Sequence, residues 1–94
     1  MSWSAVEAET KAIRALEWMT ADGAMLDRFL ATTGARIPDI GNAIGNPEFL
    51  GSVLDFLMTQ DSYVLRFCAS EGLTHDDFAA IRAALPGGDL PHWT

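Results

Sequence analysis

Cysteine is nearly missing from this sequence. One Cys among 94 residues builds neither a disulfide framework nor a multi-cysteine zinc site. Histidine is as scarce, and His75 and His92 leave few nitrogen ligands for a metal. Positive charge is short as well: six Lys plus Arg face 13 Asp plus Glu, for a net charge of -7. A chain this acidic repels phosphate backbones, so nucleic acid is not expected as a partner. Only three Val occur, and no run alternates like a half-buried strand, so sheet structure is not expected. Long apolar runs are absent too. Phe49 to Met58 is broken by Asp55 and is too short to span a bilayer. Met1 to Lys11 carries Glu7 and Glu9 with no basic stretch leading into an apolar one, so it does not read as a secretory signal. No membrane association is expected, and the default location is the cytoplasm.

What is present favours helix. Alanine occurs 14 times, and it has the highest helix propensity. Hydrophobic residues are 49% and charged residues 20%, which fits one folded domain and excludes a disordered tail or a two-domain enzyme.

The punctuation predicts an all-α, compact six-helix bundle, with residues 1–85 as a single helical domain and residues 86–94 as a C-terminal tail. Ser4 with Glu7 forms a capping box for a first helix reaching about Ala21. Asp22 caps a second helix, from Gly23 to Thr33, and Gly34 stops it. A third, from Pro38 to Ile44, lacks a good cap and carries Gly41, yet Ile37, Ile40 and Ile44 offer it an apolar edge. Asn46-Pro47 starts a fourth that runs to about Thr59. Asp61 is expected to cap the fifth, which ends at Gly72, and Thr74 caps the sixth, with Leu73 stapling onto Phe78. Helix one is expected to bury Ala5, Ala8, Ala12, Ala15, Leu16 and Met19, and helix four has the wider apolar arc and belongs at the centre.

The chain also echoes itself. A shift of 38 residues aligns Leu16–Ile40 with Leu54–Phe78 and gives six identities in 25 positions. Arg28-Phe29 falls on Arg66-Phe67, and the stops Gly34 and Gly72 coincide. This predicts two similar three-helix units, each covering the other's apolar face. Helical bundles rich in Leu and Ala also produce such echoes by chance.

The same stretches carry a resemblance. Ala15-Leu16-Glu17-Trp18-Met19 through Arg28-Phe29-Leu30-Ala31-Thr32-Thr33-Gly34, with Asn46-Pro47-Glu48-Phe49-Leu50 through Val53-Leu54-Asp55-Phe56-Leu57, resemble a small bacterial family of helical chains. It is of the domain-of-unknown-function 3572 type, and the likeness covers roughly Ala12 to Leu85. The resemblance implies an unassigned function and no catalytic residues.

Chemistry is hard to find in the residues. Cys68 lies on the apolar stripe of helix five and reads as a buried thiol. His75 sits beside Asp76 and Asp77 in the first turn of helix six, and these adjacent carboxylates point about 100° apart. No metal or cofactor is expected. Asp55 and Glu17 are expected to pair with Arg14, Arg28 or Arg66. No Ser/His/Asp or Cys/His triad assembles, and no phosphate-binding glycine loop follows a strand.

Two functional classes remain. The first is a protein-protein interaction module or subunit, binding an unknown protein partner or a second copy of itself. Its candidate contacts are Trp18, Leu65, Leu90 and Trp93. Trp18 falls on the flank of helix one opposite its core side, where it stacks under Lys11 or Arg14, anchors a partner, or packs on helix two or the tail. Leu65 falls on a face that is polar in helix two. Leu90 and Trp93 follow Pro86-Gly87-Gly88 and are expected to dock on a partner or back onto this chain near Trp3 or Trp18. The second class is a small carboxylate/Arg-based enzyme or ligand-binding subunit using Asp55, Glu17, Arg28 and Arg66. Convergence of those four side chains in one pocket favours the second class; separate pairs favour the first.

Overall fold

Local capping sets most of the helix boundaries. A computed structural model describes residues 3–86. Six helices follow in order: α1 (Ala5–Thr20), α2 (Gly23–Thr33), α3 (Ile37–Ala43), α4 (Pro47–Leu57), α5 (Asp61–Glu71) and α6 (His75–Ala83). Among the described residues there is no strand. Ser4 and Glu7 form the reciprocal capping box of α1, and Thr74 and Asp77 that of α6. Asp22 accepts from the amides of Ala24 and Met25, and Asn46 from that of Glu48. Gly34 and Gly72 end α2 and α5 at φ 76° and 69°, backbone that a side chain would strain.

Three local expectations need correction. Asp61 does not cap α5. Gln60 occupies that position without a side-chain hydrogen bond, and Asp61 stands inside the first turn, where its charge still meets the positive helix end. α4 ends at Leu57 with Met58 as its C-cap, short of Thr59. The isoleucines of α3 form no buried edge. Ile37 is 64% exposed and Ile44 37%, Ile40 is half-buried, and α3 buries no residue at all. Seven residues cannot present two full apolar turns to a neighbour.

α4 is the hub. It buries Leu50, Gly51, Val53, Leu54, Phe56 and Leu57 and packs on α1, α2, α5 and α6. α1 lies along it through Ala8, Ala12, Ala15, Leu16 and Met19; Ala5 is exposed, since it precedes the packed turns. Small alanines let two helix backbones approach closely. α1 also packs on α2 and α6, so the first and last helices meet. Phe29, Phe67 and Phe78 are almost fully buried. Phe29 meets Phe49 and Phe56 edge-on at 5.9 and 5.5 Å, and Phe56 stacks on Tyr63 at 5.7 Å. The shifted positions share burial at Leu16 and Leu54, Met19 and Leu57, Met25 and Tyr63, and Phe29 and Phe67. The third helices differ: α6 buries Phe78, Ile81 and Arg82, and α3 nothing.

Candidate functional site

Trp18 projects from the flank of α1 and meets α5. Its ring meets Phe67 edge-on at 5.7 Å, and the guanidinium carbon of Arg66 lies 5.5 Å from the ring centroid. The stacking cation is therefore Arg66, in place of Lys11 or Arg14. Those two are engaged elsewhere. Lys11 Nζ meets Glu71 Oε1 at 3.3 Å, and Arg14 donates to the same carboxylate from Nε at 3.3 Å and Nη2 at 3.1 Å. The Glu71 side chain is only 9% exposed, so its charge requires such partners. The Arg14 hydrogen bonds hold the Glu71 carboxyl below its usual range, against the opposing effect of burial and with further help from Lys11. Glu71 thus ties the end of α5 to α1 and fixes the surface around Trp18.

Trp18 separates two shallow depressions. One, of about 460 Å³, is lined by Trp18, Ala21, Asp22, Gly23, Met25 and Arg66. The other, of about 290 Å³, is lined by Arg14, Glu17, Trp18, Ser70 and Glu71. Leu65 is 62% exposed and precedes Arg66 on the outer side of α5, so the open alternative holds for it. Leu90 and Trp93 lie outside the described residues.

The four side chains of a carboxylate-and-Arg centre do not converge. Arg28 donates to the Tyr63 hydroxyl at 2.9 Å. Arg66 stacks on Trp18 beside one depression, and Glu17 lines the other. Asp55 pairs with none of the expected arginines. It accepts from Arg82, at 2.6 Å from Nε and 2.9 Å from Nη2. Arg82 Nη1 also donates to the carbonyls of Leu85 and Pro86 at 3.4 and 3.0 Å. This cluster escaped the sequence reading because its members are brought together only by the packing of α6 on α4. One signal was available: Gly51 sits inside the most apolar helix, one turn before Asp55. A Cβ on Gly51 would stand 3.0 Å from Arg82 Nη1 and 3.1 Å from the Pro86 carbonyl oxygen. The missing side chain is the space the guanidinium fills.

Cys68 is buried, with its thiol 3.8 Å from the Thr74 carbonyl oxygen. Burial, followed by the charge of Asp77, pushes the thiol pKa up, away from the thiolate that nucleophilic chemistry requires. His75 is exposed, and His92 lies outside the described residues. Among the described residues no three His, Cys, Asp or Glu side chains group to hold a metal ion. No helix there is long and apolar enough to cross a membrane.

No curated protein and no solved structure matches the chain. One family model does match, over residues 5–88, which takes in all six helices and the surface around Trp18. On that match, the chain belongs to the family described as Protein of unknown function (DUF3572).

Proposed function

We propose that this chain is a small helical interaction module whose binding surface is the Trp18 face of α1 and α5. The observation that carries the reading is the preparation of Trp18. Phe67 and Arg66 contact its ring, and a depression opens on each side. An aromatic anchor fixed before binding loses little entropy on docking, and a charged rim around it keeps water out of the contact. The scattering of Asp55, Glu17, Arg28 and Arg66 supports the interaction reading over a carboxylate-and-Arg enzyme. The proposed partner is a polypeptide, with no part for nucleic acid or membrane. A bacterial cytoplasm is the proposed setting, in keeping with a sequence whose one Cys leaves no intrachain disulfide to form. The matched burial of Leu16/Leu54 through Phe29/Phe67 supports two related helical units facing each other.

The test compares the full chain with Trp18→Ala and Arg66→Ala as baits in the native cell extract, with helix content checked by circular dichroism. A specific partner should bind the full chain and lose roughly thirtyfold in affinity with Trp18→Ala, the loss typical of a central anchor. Identical capture by all three folded baits would sink the assignment.

A further inference from the structure

Among the described residues, Val6, Met58 and Leu65 are exposed singly, on α1, at the end of α4 and on α5, as scattered surface hydrophobics commonly are. α3 is different. Ile37 and Ile44 are exposed and Ile40 is half-buried. Spaced three and four residues apart, they share one face of the helix. Among the described helices, α3 alone packs extensively on no other. An apolar face of this kind gains from a cover.

Two observations select the cover. The first is where the chain leaves the bundle. The Pro86 carbonyl oxygen is held 3.0 Å from Arg82 Nη1, and a Cβ on Gly51 would stand 3.1 Å from it. Residues 87–94 therefore start beside α4, the helix into which α3 leads. From Gly51 back to Pro47 the helix rises about 6 Å, and the three residues on to Ile44 add at most about 11 Å. The seven residues from Pro86 to Trp93 can extend about 23 Å. They are long enough to bring Trp93 to Ile44, and Gly87-Gly88 let the chain turn toward it. The second observation is the tether. Only Gly87-Gly88-Asp89 separate the anchored Pro86 from Leu90, so Leu90 and Trp93 meet α3 at an effective concentration on the order of millimolar. A second copy has no such tether, and its own net charge of -7 opposes its approach.

We propose that Leu90 and Trp93 cover the Ile37, Ile40 and Ile44 face of α3 in the same molecule, with Arg82 fixing the point from which they depart. The Trp18 face lies on α1 and α5, so this proposal is independent of the interaction reading above.

Isoleucine-methyl NMR of the full chain tests it. The isoleucines are Ile13, Ile37, Ile40, Ile44 and Ile81. Trp93→Ala should shift the methyl resonances of the α3 isoleucines, because an indole ring displaces the resonance of a methyl laid against it, and should leave those of Ile13 and Ile81 in place. In the wild-type chain, cross-relaxation should link the Trp93 ring protons to these α3 methyls equally at about 50 μM and about 1 mM, since a tethered contact does not depend on concentration. Ile44→Asp, at an exposed position, should move the indole N–H resonance of Trp93 and leave that of Trp18. Stationary α3 methyls in Trp93→Ala overturn the proposal, as do cross-peaks that join Trp93 to a different element. Contacts that appear only at the higher concentration overturn it too, since they mean docking on a second copy. None of these results changes what the Trp18→Ala comparison decides.

Discussion

Gly51→Ala should destabilise this protein although it improves a helix. Gly51 is interior to α4, and alanine there gains about 1 kcal/mol of helix propensity. The added methyl arrives 3.0 Å from Arg82 Nη1, 3.2 Å from its Cζ and 3.1 Å from the Pro86 carbonyl oxygen. One neighbour must retreat by a few tenths of an ångström. Arg82 has little freedom to do so, since it is 9% exposed and tied to Asp55 and to two carbonyls. Weakening one hydrogen bond from a buried charged donor costs about 1.5–3 kcal/mol. The net expectation is a loss of about 0.5–2 kcal/mol, or a Tm lower by roughly 2–16 °C for a domain of this size. Urea titration followed by far-UV circular dichroism measures it. Arg82→Met supplies the control background. With the guanidinium gone, Gly51→Ala should be neutral or stabilising by up to about 1 kcal/mol, a coupling that a double-mutant cycle resolves. A higher Tm for Gly51→Ala alone, or equal effects in both backgrounds, refutes the crowding argument.

Phe29→Ala and Phe67→Ala should each cost about 3–5 kcal/mol in urea titration, and a loss near zero would remove either from the core. Acid should weaken the fold through Glu71, whose folded pKa lies below its ordinary 4.5. The unfolded chain takes up that proton first, so the stabilisation is complete above the unfolded pKa and disappears as pH falls through the folded one. Glu7 and Asp77 act in the same direction through their hydrogen bonds to Ser4 and Thr74. Glu71→Gln should flatten the decline of the urea midpoint below about pH 4.5, and an unchanged slope would discard Glu71 as a contributor. Amide exchange should be faster for Asp39–Ile44 than for Asp77–Arg82, because α3 buries nothing and α6 is capped and packed; the reverse order would contradict that difference.

The parts of the fold legible in the sequence are those decided within one helical turn. Ser4 with Glu7, Asp22, Asn46-Pro47, Thr74 with Asp77, and the stops Gly34 and Gly72 each act on backbone groups no more than four residues away. Their spacing alone locates five of the six helices closely. The misjudged details depend on neighbours distant in the chain. Ile37 and Ile44 have the period of a buried edge, yet both stay exposed. Trp18 could be assigned to a flank, but its partners Phe67 and Arg66 lie four helices further along the chain. Asp55 could be marked as needing a cation, but Arg14, Arg28 and Arg66 were the three arginines expected to supply it. The choice of Arg82 follows from how α6 crosses α4 at Gly51. The candidate surface was thus legible as single residues, Trp18 and Leu65, while the depressions and the Glu71 tie emerge only from the assembled helices.

The meeting of α1 with α6 bears on how the chain is made. α1 leaves the ribosome first, but α6 packs against it, and Phe78 from α6 closes on Phe67 at 6.3 Å. Until α6 emerges, the apolar sides of α1, α4 and α5 lack one of their covers. Synthesis proceeds at roughly 5–20 residues per second, so this incomplete state lasts for seconds on every nascent chain. The net charge of -7 favours separation of neighbouring unfinished copies during that interval.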